Sequence, residues 1–480
     1  MIQADSPAGP ASTSAVPSAS KLGLWGVVTV IYFAVAGGAF GIEGLIANSA
    51  PGMAILLILV TPFLWSLPTV LMVTELSTAM PVAGGYYAWV KRGLGPFWGF
   101  MQAWTSWLYG LVIAASFAVL FATYTSSFLS QAFGVTALDH SALLSWLVCA
   151  ALIVAFVLLN IRGAHAVGDS SKLFAVMVFA PFIVMIVLAL FRWLTHPGLA
   201  HAAAFWQPVT PPGTSLLSAF GLGLFVVMYN FLGWDGVSTI LKEIENPLQV
   251  IPRAMRIALP VIVLAYLLPV LAGLVSGLKW SSWGDTTFFP ELAASIGGRW
   301  LGIWMAVGGM FCAAGLFNAM VLTNSRIPFS LAADRYFPAG LTARHPVYGT
   351  PVVSIIVCAV IYALLSLQTF ASLLNVTVLL YGVSLLLQFA ALIAFRVKEP
   401  RMRRPFRIPG GLPVVVGLSL LPAIILVMAV VSTLQDKAKG PIFLALSLPM
   451  LAAGPLLFLL TRAVFKRGAP DVPVPIEYVD

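Results

Sequence analysis

Long apolar runs separated by short polar stretches govern this chain. Twelve can be marked, at roughly 23–48, 53–79, 97–130, 142–161, 170–192, 215–240, 255–277, 300–328, 350–369, 372–395, 412–433 and 441–463. Each is long enough for an α-helix to cross a bilayer, which takes about 20 residues. Several are longer, which predicts tilt or internal breaks. Two runs carry the same interruption. Gly41-Ile42-Glu43-Gly44 lies inside the first, and Gly233-Trp234-Asp235-Gly236 lies inside the sixth. Both read glycine, apolar residue, acid, glycine. Glycine weakens the helix, and a carboxylate at that depth is costly unless it faces a cavity or pathway. In the sixth run the disturbance reaches back to Tyr229 and Asn230. Two glycine-broken spans in matching positions point to the binding site of a transporter.

The polar stretches carry turn chemistry. Pro81 to Tyr87, between spans 2 and 3, is too polar to span and too rich in glycine for a plain helix, so a short re-entrant or interfacial element is expected. Glu243-Ile244-Glu245-Asn246-Pro247 ends span 6, and Pro252-Arg253-Ala254 is expected to start another short helix. The stretch Trp283 to Arg299 has room for a helical lid.

Composition fixes the class. The 480 residues are 60% hydrophobic and 9% charged, which describes an all-α integral membrane protein with many spans and excludes a soluble globular one. The net charge of +9 does not imply nucleic acid, because most basic residues sit in short loops. With the N-terminus cytoplasmic, Lys91, Arg92, Arg162, Arg253, Arg256, Arg326, Arg335, Arg344, the group from Arg396 to Arg407, and Arg462, Lys466 and Arg467 all fall inside. The outer loops hold Arg192, Lys279, Arg299, Lys437 and Lys439. That asymmetry predicts cytoplasmic termini. The expected location is a cell membrane, with compact loops suited to a bacterial inner membrane. Residues 1–20, rich in Ser, Ala and Pro without a basic leader, are expected to form a disordered cytoplasmic tail, and residues 466–480 a cytoplasmic C-terminal tail.

Enzyme chemistry finds no foothold. There is no nucleophile triad, phosphate loop or dinucleotide fingerprint, and no cofactor or metal is expected. Cys149, Cys312 and Cys358 all lie in apolar runs and read as small core residues. His140, His165, His196, His201 and His345 are spaced unlike metal ligands. The acids inside spans are Glu43, Glu75 and Asp235, and Lys172 opens span 5. Function should concentrate in this short set.

The loops carry a family resemblance. Glu243-x-Glu-Asn-Pro-x-x-x-Ile-Pro-Arg-Ala resembles the segment after helix 6 in the amino acid–polyamine–organocation (APC) superfamily. Met80-Pro-Val-Ala-Gly-Gly-Tyr-Tyr and Leu94-Gly-Pro-Phe-Trp-Gly-Phe resemble its helix 2–3 loop. Asn324-Ser-Arg-Ile-Pro with Ala333-Asp-Arg-Tyr-Phe-Pro resembles its helix 8–9 loop. The resemblance implies a LeuT-type fold of 12 helices. A 5+5 inverted repeat would place helices 1–5 in residues 21–200 and helices 6–10 in 201–400, with peripheral helices 11 and 12 in 401–465. Helices 1 and 6 would be unwound at the substrate. Gly37-Gly-Ala-Phe-Gly-Ile-Glu43 departs from the Gly-Ser-Gly-Ile-Phe of amino acid carriers. It is similar to the Gly-Gly-Pro-Phe-Gly-Val-Glu of a polyamine-uptake branch, as are Pro62-Phe-Leu-Trp-Ser-Leu-Pro and Trp234-Asp235-x-Val-Ser-Thr.

The implied chemistry follows. In amino acid carriers of this fold, free N–H groups of broken helix 1 hold the substrate carboxylate. Glu43 beside that nest repels a carboxylate and attracts an ammonium. Asp235 adds a second anion on the facing break. Phe40, Gly41, Tyr229, Phe231 and Trp234 can line the gap, with cation–π contacts worth about 1–2 kcal/mol each. Glu43, Asp235 and Glu75 are candidates for proton coupling. Lys172 looks like the lysine that replaces sodium in sodium-independent members. Plainer roles stand beside these: a backbone or Lys172 partner for Glu43, a helix cap for Asp235, a structural hydrogen bond for Glu75, a snorkelling Lys172 and a membrane anchor for the arginine group. The expectation is therefore a transporter of cationic amines such as putrescine or spermidine, proton-coupled, monomeric or dimeric. An amino acid permease of the same fold or a ligand-binding nutrient sensor is the alternative.

Overall fold

The computed structural model describes residues 22–36, 38–82, 85–162, 171–195, 207–284, 288–437 and 439–465. Among them the regular structure is helical. The first apolar run is split into α1 (Leu24–Val35) and α2 (Glu43–Ser49). The second run is α3 (Pro51–Ala79), which takes a wider π turn over Pro62–Ser66 where proline removes a backbone donor. Then come α4 (Gly85–Leu94), α5 (Pro96–Phe133), α6 (Ala142–Arg162) and α7 (Ser171–Thr195). The sixth run is again split, into α8 (Leu216–Tyr229) and a 3-10 helix, Trp234–Glu243. The remainder is α9 (Pro247–Leu274), α10 (Phe289–Gly297), α11 (Arg299–Asn324), α12 (Arg326–Ala333), α13 (Val352–Leu365), α14 (Phe370–Lys398), α15 (Gly411–Gln435) and α16 (Lys439–Phe465).

Among the described residues ten helical stretches are long and apolar enough to cross a membrane, and α1 and α13 are shorter apolar helices. All fall on the apolar runs marked in the sequence. The long α5 has 78% of its most apolar window buried, whereas α6 and α16 have 22%. So α5 is a central post and α6 and α16 are lipid-facing. The post packs along α11 and α14. The halves of the broken helices gather elsewhere: α1 lies on α9 and on the 3-10 segment, and α2 on α8.

Two of the loops fold as their turn chemistry implies, and one does not. The stretch after Pro81 contains α4, an amphipathic helix with Lys91 and Arg92 in its last turn. The stretch Trp283 to Arg299 contains α10, capped by Glu291, whose carboxylate accepts from the Phe288 N–H at 2.9 Å. The separate short helix expected at Pro252 does not form. Pro247 already starts α9 as its first residue, and Pro252 is carried inside the continuous helix.

Candidate functional site

Each break is set by a glycine in left-handed backbone. Gly41 has φ 93° and Gly233 has φ 90°, a region that side chains oppose. A Cβ on Gly41 would lie 3.2 Å from the ring of Phe370, and one on Gly233 would collide with the Ala34 carbonyl. The second break presses on the last turn of α1, and Phe370 at the start of α14 lies against both Gly41 and Tyr229, its ring 5.7 Å from that of Tyr229. Tyr266 of α9 donates to the Ala36 carbonyl at 3.2 Å, closing the end of α1.

Glu43 begins α2 and is 1% exposed. Its carboxylate folds back over the break. Oε2 accepts from the Gly41 N–H at 2.8 Å, and Oε1 accepts from the Tyr124 hydroxyl of α5 at 2.7 Å and from the Phe289 N–H of α10 at 3.3 Å. These partners are neutral donors. They satisfy the geometry of the carboxylate without cancelling its charge. Phe40 packs beside it, its ring 4.9 Å from Tyr124 and 4.7 Å from Phe182. On the opposite side the loop backbone at Gly284 sits on Gly44, so α10 and its loop cover this break.

Asp235 is also 1% exposed, in the first turn of the 3-10 helix. The N-cap position belongs to Gly233, and Asp235 turns to α14: Oδ1 accepts from the Tyr381 hydroxyl at 2.9 Å and Oδ2 from the Gln388 amide at 2.8 Å. Trp234 is fully buried. Phe231 packs its ring 5.3 Å from Tyr266, and the Tyr229 hydroxyl meets Ser116 Oγ at 2.7 Å.

Glu75 is held differently. It is fully buried near the end of α3. Arg396 of α14 meets it with Nε at 2.7 Å and Nη2 at 2.6 Å, Arg404 Nε lies at 3.3 Å, and the Ile408 N–H donates at 2.8 Å. These contacts tie α3 to α14 and to the stretch that follows it. Two members of the arginine group thus turn inward. Lys172 lies in the first turn of α7, but its side chain is outside the described residues.

The sequence thus located both breaks and both acids. It missed Tyr124, Phe289, Phe370, Tyr381 and Gln388. Their signal was available in part: Tyr381, Ser384 and Gln388 recur at helical spacing inside an apolar run.

The model of the amino acid permease family matches residues 22–452. The chain belongs to that family. This permease is 34% identical over 431 residues to polyamine transporter PUT1 of Oryza sativa subsp. japonica, covering 89% of this chain and 77% of the relative. It is 32% identical over 451 residues to polyamine transporter RMV1 of Arabidopsis thaliana, covering 93% and 86%. Its fold is similar to that of MhsT, solved in complex with L-phenylalanine, with TM-score 0.55 and 13% identity over 91% of this chain and 98% of that one. The permease is therefore a multi-pass membrane transporter with the LeuT-type fold.

Proposed function

We propose that this permease moves cationic amines, of the putrescine and spermidine class, across the membrane by alternating access. The observation that carries the reading is the Gly41–Glu43 bond at 2.8 Å. The backbone donor that would face a substrate carboxylate is already taken by the protein's own carboxylate. What the pocket offers an incoming group is negative charge with aromatic walls, which suits an ammonium. The similarity to two proteins named polyamine transporters supports the same substrate class.

In this reading Glu43 anchors one amine, and Asp235, on the other break, anchors a second. Phe40, Tyr229, Phe231 and Trp234 flank the space between the breaks. Glu43 and Asp235 are held by neutral donors, so either can take up a proton without breaking an ion pair, and we assign proton coupling to this pair. Glu75, tied to two arginines, we assign to holding α14 and its following loop against α3. Lys172 keeps its role as substitute for a coupling ion. The inverted repeat would carry the alternation, across 12 spans with both termini cytoplasmic. Compact loops support a bacterial inner membrane. The protein works as a monomer or a dimer.

The family description favours a second reading, an amino acid permease in which Glu43 relays protons and does not touch substrate. Thermal-shift titration of the purified protein separates the two, with putrescine, spermidine, arginine, leucine and glutamate compared side by side. Ligands that bind the folded state raise its melting temperature. Stabilisation by the amines and not by leucine supports the proposal. Stabilisation by leucine alone overturns it in favour of the second reading.

A further inference from the structure

Helix α14 is apolar enough to span, with a mean hydropathy of 2.3 over its most apolar window, yet one face is polar. Thr377, Tyr381, Ser384 and Gln388 follow at intervals of four, three and four residues, and all are fully buried. That spacing puts them on one stripe about 16 Å long at 1.5 Å per residue. Tyr381 and Gln388 grip the two oxygens of Asp235. Ser384, between them on the stripe, meets the Gln102 amide of α5 at 2.6 Å and Ser106 at 3.3 Å.

The stripe has more hydrogen-bonding capacity than the protein uses. Gln388 must present its amide N–H to the Asp235 carboxylate, which fixes its carbonyl as the free end. That Oε1, Gln102 Oε1 and Thr377 Oγ1 are buried without a partner among the described residues. A buried unpaired polar atom costs about 1–3 kcal/mol, so three on or beside one stripe leave room for a partner to stabilise it. Unused acceptors on and beside the stripe that carries the partners of Asp235 suit a guest rich in N–H donors.

We propose that the polar face of α14, completed by Gln102, is a subsite for the distal amine of a substrate longer than a diamine. This rests on the amine reading above and adds a length discriminator to it. The stripe lets the chain extend past Asp235 while its secondary and terminal N–H groups find neutral acceptors.

The test is a pair of variants of the full-length protein, Gln102→Met and Ser384→Ala, titrated with putrescine and spermidine by thermal shift. The ratio of spermidine to putrescine dissociation constants should rise about tenfold, the effect of losing one hydrogen bond to a charged group. Gln102→Asn should rescue part of it. Stabilisation by putrescine shows that a variant is folded, and the second variant covers a failure of the first. A ratio that stays at its wild-type value in both variants overturns the subsite and leaves the amine reading standing. If neither amine stabilises the wild-type protein, the amine reading fails and the subsite with it.

Discussion

Glu43 and Glu75 are both buried carboxylates in neighbouring apolar runs, and the structure treats them oppositely. Glu43 meets a tyrosine hydroxyl and two backbone N–H groups, one from the covering helix α10. Glu75 meets two guanidinium groups and a backbone N–H from the stretch after α14. Neutral donors orient a carboxylate and leave its charge to act on a guest. Guanidinium groups cancel the charge and turn the carboxylate into a fastener. Burial alone therefore does not separate a binding acid from a structural one. In the amine reading the charge of the partners does, and Asp235, like Glu43, has neutral partners.

The sharpest break in the comparison is Glu43→Gln. The amide keeps most of the shape and removes the charge. Amine uptake should fall by about 100-fold or more, as expected when one member of a buried charged pair is removed. The melting temperature without ligand should move little. Full uptake with unchanged affinity would end the site assignment. Glu75→Gln should do the reverse. It leaves Arg396 and Arg404 buried without their anion, at a cost of about 3–5 kcal/mol. A large drop in melting temperature is expected, with uptake per folded molecule retained. Loss of uptake at full stability would return Glu75 to the proton path.

Asp235→Asn should weaken binding by about tenfold for spermidine and less for a monoamine, because one of two anchors is lost. Equal losses across chain lengths in a competition assay would make Asp235 structural. The smallest effect belongs to Glu291→Ala. It removes the carboxylate that accepts from Phe288 at the start of α10, worth about 1 kcal/mol. Its melting temperature should fall by less than that of Glu75→Gln. A larger fall would give α10 a greater share in stability than its cap supplies.

The contrast also marks how far the sequence could be read. The breaks at Gly41 and Gly233 were legible because glycine beside an acid costs an apolar run both helix and solvation, so a plain span does without the pair. The acids were legible for the same reason. Their partners were not. Tyr124 looks like any aromatic in a long span, and Phe289 contributes a backbone N–H, which no side-chain pattern reports. Arg396 and Arg404 lie in a basic group that charge counting assigns to the membrane surface. Only the folded chain shows that these two turn inward while the stretch after α14 closes over α3. Pro252 misled for a local reason: a proline was read as a start, though an earlier one had already begun the helix.

The Phe289 contact has a consequence for energetics. Oε1 of Glu43 is shared by Tyr124 at 2.7 Å and the Phe289 N–H at 3.3 Å, so the covering helix holds it by the longer bond. In the amine reading, an ammonium arriving at that oxygen changes what the bond to α10 is worth. Docking of α10 and occupancy by amine are then two equilibria drawing on one atom, and linkage makes their influence mutual. By whatever factor closure alters amine affinity, amine alters closure by the same factor. In that reading a single oxygen sets how strongly the cargo registers in the conformation of its carrier.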